Sequence, residues 1–593
     1  MLNKKIIVCD FCVIGGGMAG MCAAISAARE GLQVVLMHER PVLGGNASSE
    51  IRMWVSGARG ENNRETGIIE EIALENLYRN PTKNYPIWDS VLYSFVRREK
   101  NITLLLNCTC MDATTVEGEF AHGRTTRIES VTGYQMTTQQ FYEVRAKSFC
   151  DCSGDSILAP LTGAEFRWGR EAADEFGELS STKVADKKTM GMSCLIQGRQ
   201  TLQEIPYRAP EWSAKLGDSD FENRMPAIHS DVENFWYLEL GGDRDTIADT
   251  EELRDELVAL ATGTWDYIKN SGNFDTGKWD LDFLGFLPGK RESRRLCGEY
   301  MLTQRDISDN RVFQDEIAFG GWPLDDHFPG GFYHRGVPNT NYTTPAPYSL
   351  PYRCLYSKNV DNLFFAGRNI SVTHMAMSSM RVMATCALLG EAVGKAASLV
   401  SKHDCAPHDV YCDHLDALQK LLLDNDCFLP HKLRTVGDVC KQAKLTGADD
   451  RIRNGQDRPH PLYGTDITTA CCAVAPGGAV TYTFAPARVN AVHLVFSSDL
   501  DRVTLEGSRV ERQQSTRANY RLDQPVQNMP TTLCREFRIV AELNGVETQL
   551  LSVTDNHKRA YHIPVNQEFD KLTLIPISSW GDGEIPVISF DFT

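Results

Sequence analysis

The segment FFAGRNISVTHMAMSSMRVM, residues 364–383, closes an apolar run with Gly367 and Arg368 and then carries a histidine, four methionines and a second arginine. Histidine is the side chain whose ordinary pKa, ~6.5, lets it accept or give a proton near neutral pH, and arginine supplies fixed positive charge. His374 as a general base, with Arg381 beside developing negative charge or a substrate oxygen, is therefore the candidate catalytic pair. Met375, Met377, Met380 and Met383 read as packing, since thioethers fill irregular gaps in cores. A second group, Trp322, His327, His334 and Arg335, crowds the Gly/Pro-rich stretch GGWPLDDHFPGGFYHRG. Aromatic faces with hydrogen-bonding tips on such a loop suit a polyhydroxylated ligand, and ordinary loop packing is the alternative. Arg291, Arg294 and Arg295 in KRESRRL read as a salt-bridged helix face ahead of a role in orienting an acidic substrate.

Elements that would position these residues begin at the N-terminus. In VIGGGMAGMCAAISAAREG, Gly15, Gly17 and Gly20 complete G-x-G-x-x-G between an apolar strand and an Ala-rich helix, with Met18 and Ala19 opening that helix. The pattern serves a pyrophosphate: one glycine for the turn, one for close backbone approach, one for helix packing, and positive potential from the helix N-terminus. LQVVLMHER follows as a second strand ending in Glu39 and Arg40, near the ~20-residue offset of a carboxylate that holds a ribose hydroxyl. Directly after it, GGNASSEIR places Gly45, Asn46, Ser48 and Arg52 where small residues can run along a pyrophosphate and under a bulky ring. A nicotinamide cofactor has no need of that stretch, so it selects FAD. NITLLLNCTCMDATTV, IESVTGYQM and QQFYEVRAKSFCDCSGD read as an antiparallel meander returning to the nucleotide sheet at Ser153, Gly154 and Asp155. NLFFAGR then reads as a late strand of the same sheet, followed by a long helix that begins at the flavin's edge.

Composition bounds the rest. The 593 residues are 42% hydrophobic and 23% charged, ordinary for a globular chain of two to four domains. A formal charge of -17 without a local basic patch argues against nucleic-acid partners. The N-terminal lysines and apolar run imitate a secretory signal, but Asp10 interrupts the run and glycines fill the cleavage position, so no membrane partner and a cytoplasmic location are expected. The 18 cysteines are scattered and match neither a zinc ribbon nor a ferredoxin-type series, so no metal is expected.

The fold expected is α/β: an FAD-binding Rossmann-like domain with an inserted substrate cap, followed by an all-β sandwich. The boundaries are 1–162 for the first part of the FAD domain with its β-meander, 163–359 for the cap, 360–445 for the closing strand and helices, and 446–593 for the sandwich. Within the cap, GREAADEFGE and TEELRDELVALATGTWDYIKN read as helices and KKTMGMSCLIQGR as a strand; HDVYCDHLDALQKLLLDN reads as a last amphipathic helix. AVTYTFA, VNAVHLVFS, EFRIVAEL and KLTLIPI, separated by turn residues, are the sandwich strands, and in outline this region is similar to carbohydrate-binding modules.

Six segments, GGGMAG, GGNASSEIR, SGDSILAPLTGAEFRWGREAADEFGE, RESRRLCGEY, GGWPLDDH and YRCLYSKNVDNLFFAGRNISVTHMAMSSMRVMATC, together resemble a bacterial FAD-dependent oxidoreductase family. Its flavin domain is shared with heterodisulfide reductase flavin subunits, and the resemblance spans roughly residues 8 to 425. More distantly the plan is similar to the fumarate reductase and succinate dehydrogenase flavoproteins, where the spacing of His374 from Gly367 resembles that of an active-site histidine. Arg381 falls out of register with that superfamily's arginine, so dicarboxylate chemistry does not carry over. The resemblance implies an FAD-dependent oxidoreductase; the reaction expected is hydride transfer between FAD and a small organic substrate, with a carbohydrate-derived hydroxyl as the expected group. Reduction of an activated double bond is the runner-up, and a non-catalytic carbohydrate-binding protein with a vestigial flavin fold is the reading from another class. Homo-oligomerisation is left open.

Overall fold

The computed structural model describes residues 3–230, 233–502 and 515–593. Its central element is β1, Lys4–Ile14, whose Phe11, Cys12, Val13 and Ile14 are buried because neighbours cover both faces of the strand. β2 (Val34–Met37) and β6 (Gln140–Asp151) flank β1 in parallel, and β3 (Ile102–Leu105) extends the sheet beyond β2. β4 (Cys108–Glu117) and β5 (Thr126–Gln135) join β6 as an antiparallel meander, so the meander and the nucleotide-binding strands form one seven-stranded sheet. The seventh strand, β7 (Leu363–Phe365), comes from far along the chain and pairs in parallel with β6.

Register decides where the site lies. Ile14 sits beside both Met37 and Asp151, and Phe365 pairs with Asp151 as well, so β1, β2, β6 and β7 all end at one edge of the sheet. Crevices beyond the carboxyl ends of parallel strands are where α/β sheets bind ligands. The helix α1 (Met18–Arg29) leaves this edge directly after β1. α2 (Ile68–Arg79) packs alongside, and between β6 and β7 the chain builds a cap around α3 (Thr250–Asn270) and the paired strands Ile196–Gln200 and Trp279–Leu284. After β7 come a short helix, α4 (His374–Met380), a break at Arg381 and Val382, and then α5 (Met383–His403).

α1 and α5 touch almost backbone to backbone. A Cβ on Gly390 would stand 2.0 Å from the Ala19 carbonyl oxygen, and one on Gly394 2.5 Å from that of Ala23. By length and composition α5 could cross a membrane, yet 94% of its apolar window is buried inside the protein. Its hydrophobicity is that of a core helix.

Several sequence expectations need correction. GREAADEFGE forms only the single turn Ala173–Phe176, and the last amphipathic helix is broken at His414 into Pro407–Asp413 and Leu415–Asp424. KRESRRL is no helix: the short strands Gly289–Lys290 and Arg295–Leu296 flank an irregular turn. In the C-terminal region, two expected strands fuse into β8 (Val480–Phe496). With β9 (Cys534–Leu543), β10 (Val546–Val553), β11 (Ala560–Ser579) and β12 (Ile585–Phe592), it belongs to one seven-stranded antiparallel sheet. The core of that sheet takes in Leu74 and Leu77 of α2, so it is anchored on the flavin-sheet side of the molecule.

Candidate active site

A cavity of about 400 Å³ opens at the edge where the parallel strands end. Its first wall is made of backbone. Gly15 holds φ at +104°, and a Cβ there would lie 2.3 Å from the Cys152 carbonyl oxygen. A Cβ on Gly20 would lie 1.8 Å from the Gly15 carbonyl oxygen, so α1 can pack under the turn only without a side chain. Gly17 differs: nothing stands closer to its would-be Cβ than the Gly45 Cα at 3.8 Å. Space above it is open. The Gly44 amide donates to the Gly16 carbonyl at 2.9 Å and brings the second glycine loop alongside the first. Gly17, the N-cap of α1, and Val382, that of α5, offer no side-chain cap, and Met18, Ala19 and Met383 line the cavity. Two helix N-termini thus give positive potential to a cradle without side chains, which suits a pyrophosphate.

His38 and Gly16 complete this wall and were not singled out from sequence. The Gly16 amide donates to His38 Nδ1 at 3.0 Å, and His38 Nε2 lies 3.0 Å from the Val42 carbonyl, so the ring accepts with one nitrogen and donates with the other. A Cβ on Gly16 would strike that ring at 2.7 Å. Glu39 and Arg40 follow at the rim, and Arg40 Nη1 is buried without a hydrogen-bond partner among the described residues.

Asn46, Ser153, Gly154, Gly367 and Arg368 also line the cavity. Asn46 donates to the Lys290 carbonyl at 3.0 Å, while Asp155, one step behind Gly154, accepts from Lys290 and Arg368, both at 2.8 Å. Burial opposes the charge on Asp155, but these two cations outweigh it and hold the carboxyl below its ordinary range. Ser48 is buried outside the cavity. Arg52 is directed away from the cavity: it donates to Gln197 at 2.7 Å and stacks between Tyr85 and Phe283, so a cofactor contact for it is corrected to a link between loop and cap.

The opposite end of the cavity is built from side chains. The strand Leu324–His327 pairs with Asn339–Tyr342, setting Asp325 opposite Asn341 and His327 opposite Asn339. Because strand side chains alternate, these four face the cavity and Asp326 faces away. Trp322, Arg59, Arg291 and Arg381 complete the wall. Arg381 reaches Asp325 at 3.3 Å, and its Nε is buried without a partner among the described residues. His327 donates from Nδ1 to Glu239 at 2.6 Å and lies 3.4 Å from Asp325 through Nε2. Burial pushes the His327 pKa down, but Glu239 and Asp325 outweigh burial and hold it above its ordinary value. The Asp325 carboxyl, raised by burial, is carried well below its ordinary range by His327 and Arg381.

His374 is not in the cavity, and its assignment as a general base is corrected. Its side chain is 2% exposed, with Nδ1 2.9 Å from Glu292 and Nε2 3.0 Å from Asp326 on the far face of the hairpin strand. Burial lowers its pKa, yet the two carboxylates raise it to about 10. A ring already protonated, with both nitrogens occupied, cannot take a substrate proton. His334 and Arg335 lie off the cavity as well: His334 stacks on Phe328 at 4.1 Å and Arg335 is exposed. Arg291, given up above as part of a helix face, is buried and lines the cavity.

Comparison with known proteins fits this geometry. Residues 10–422 match the family described as FAD dependent oxidoreductase, so the chain belongs to that family and FAD is its cofactor. A 77-residue stretch is 41% identical to 4-oxocyclohex-2-ene-1-carboxylate 5-dehydrogenase of Sinomonas cyclohexanicum, covering 13% of each chain. Among solved structures, a geranylgeranyl bacteriochlorophyll reductase-like protein from Thermoplasma acidophilum is 11% identical, with a TM-score of 0.31, over 71% of this chain and 86% of its own. A family 32 carbohydrate-binding module from Streptococcus pneumoniae EndoD is 11% identical, with a TM-score of 0.19, over 26% of this chain and 99% of its own. At those scores the structural likenesses carry no argument. The chain spans about an eighth of the curated relative's length.

The residues present fit FAD: a glycine cradle that any Cβ would fill, buried guanidinium nitrogens at Arg40 and Arg368 awaiting acceptors, and a rim carboxylate at Glu39.

Proposed function

We propose that this oxidoreductase exchanges a hydride between FAD and a small organic substrate at a carbon activated by a neighbouring carbonyl group. The observation that carries the reading is the continuity of one cavity from the glycine cradle to the Arg381–His327 end. Bound along the cradle, FAD supplies a two-electron acceptor or donor at the inner end. Arg381 and His327 would hold and polarise the substrate oxygen, with Asp325 and Glu239 fixing both side chains in place.

Oxidation of a carbohydrate-derived hydroxyl, the sequence-based expectation, requires a neutral base beside the hydroxyl. At the polar end, among the described lining residues, Glu239 and Asp325 raise the His327 pKa, which favours its proton-donating form, and Asp325 is held strongly acidic. Those properties favour the double-bond chemistry that stood second: on reduction the hydride would go to the carbon β to the carbonyl and His327 would give the α-proton, and oxidation of the saturated ketone would run the same two transfers backwards. The dehydrogenase relative, whose name describes a ring ketone with a conjugated double bond, agrees with this choice. For the C-terminal region, we propose a sandwich that bends at the register breaks in β8 and β11 and serves as a structural or ligand-binding module.

The test is anaerobic mixing of FAD-loaded protein with cyclic ketones and enones and, separately, with sugars and polyols. The oxidised flavin should bleach with saturated ketones, and photoreduced flavin should be reoxidised by enones. Bleaching by polyols alone would reject the reading.

A further inference from the structure

The far end of the cavity holds more hydrogen-bond donors than acceptors. Three guanidinium groups, Arg59, Arg291 and Arg381, line it against the one carboxylate that lines this end among the described residues, Asp325, in a chain whose formal charge is -17. Arg291 is spoken for, donating to Ser193 at 2.9 Å and to the Trp236 carbonyl at 2.8 Å. Arg59 is not, and Arg381 is only partly so, through Asp325 at 3.3 Å. The Arg59 guanidinium lies 4.3 Å from the centre of the Trp322 ring and has no hydrogen-bond or ion-pair partner among the described residues. The Nε of Arg381 and the Nε1 of Trp322 are buried without acceptors among the described residues. The arrangement is built: the Arg59 amide donates to the Gly321 carbonyl at 3.1 Å, and Thr344 donates to the Trp322 carbonyl at 3.0 Å, so the arginine and its ring are held together from both loops. Unpaired donors in a partly enclosed site call for an acceptor with several lone pairs, and a guanidinium fixed over an aromatic ring presents its edge to a planar anion.

We infer that this end is a carboxylate subsite, in which Arg59 on Trp322, with the Trp322 Nε1, engages the carboxylate of a small organic acid while Arg381 stays with the carbonyl oxygen. The inference rests on the hydride-exchange reading only in taking this end for the substrate end. It makes the substrate a carbonyl-activated organic acid, anchored by its carboxylate at the mouth while the reacting carbon lies deeper.

The test uses FAD-loaded protein and a matched pair of probes, cyclohexanecarboxylate and cyclohexanecarboxamide, titrated by calorimetry and by the change in the flavin's visible spectrum. The carboxylate should bind at least ~tenfold more tightly than the amide and weaken with added salt. Arg59→Gln should lose ~tenfold for the carboxylate alone, with Arg59→Lys recovering part of it. Arg59 is exposed, so these variants leave the core intact. Equal binding of acid and amide, no binding of the acid at millimolar concentrations, or wild-type binding by Arg59→Gln would overturn the subsite. Selective acid binding without flavin turnover by any ketone or enone would keep the subsite and remove the hydride reading. Neutral enones reacting as fast as their acids would do the reverse.

Discussion

The two ends of the cavity solve the same problem, recognition of a polar molecule, with different parts of the chain. The cradle end is backbone: Gly15, Gly17 and Gly45 expose amides and helix termini, and most of it comes from residues 14–46 and 152–154. The far end is side chains gathered from residues 59, 236, 291, 322–327, 339–341 and 381, held by a network of paired charges. A backbone site tolerates no added atom; a side-chain site tolerates substitution but loses function in proportion to the contact removed. The two should therefore fail differently.

The sharpest break lies within the cradle itself. Gly20→Ala drives a methyl into the Gly15 carbonyl, a clash beyond the ~1–3 kcal/mol usual for overpacking, and should abolish both FAD retention and the cooperative thermal transition. Gly17→Ala clashes with no protein atom and should fold normally, yet hold FAD at least ~tenfold more weakly because its methyl occupies phosphate space. Ultrafiltration with absorbance of the retained flavin separates the two. Normal FAD retention by Gly17→Ala would move the pyrophosphate elsewhere.

A middle-sized effect comes from His374, behind the far end. Removing its charge as His374→Gln takes the imidazolium from between the part-buried Asp326 and the buried Glu292, which keeps only Arg295 at 3.4 Å, a loss of at most the ~3–5 kcal/mol of a broken buried pair. Denaturant unfolding should report that loss. The rate of flavin reduction per bound FAD should stay near wild type. Its folded pKa, about 10, lies above the unfolded ~6.5, so this stability is fully present below pH ~6.5 and disappears as pH rises through 10. The gap between wild type and variant should narrow across that window; a constant gap would mean that the imidazole is not charged. The smallest effect belongs to Glu39. Glu39→Ala should weaken FAD about tenfold, the value of a charge-assisted bond to a ribose hydroxyl, without altering reduction of the flavin that remains. Unchanged affinity would make Glu39 a surface residue.

The same contrast explains what could be read from the sequence. G-x-G-x-x-G, the second glycine loop and the returning SGD each impose a local backbone requirement, so spacing within a few residues reveals them. α3 was legible as Thr250–Asn270 because a long 3.6-residue pattern survives any tertiary context. The far end had no such local signature. His374 stood in a suggestive place after Gly367, but its role is set by Glu292 and Asp326, 82 and 48 residues away in sequence. One signal was available and went unused: in LDDH, period-two alternation puts Asp325 and His327 on one face and Asp326 on the other. Arg291 was misjudged because a run of charges resembles a helix face whatever lies across from it.

The central claim is that the cradle holds FAD and the far end handles substrate. Arg381→Gln tests it most directly, with FAD content and anaerobic reduction rate measured on one preparation, using whichever ketone reduces the wild-type flavin. The account predicts one FAD per chain with its visible spectrum unchanged, and a reduction rate lower by ~10²-fold, the loss expected when a charged contact to the reacting oxygen is removed. Wild-type reduction by this variant, or loss of its FAD, would contradict the account.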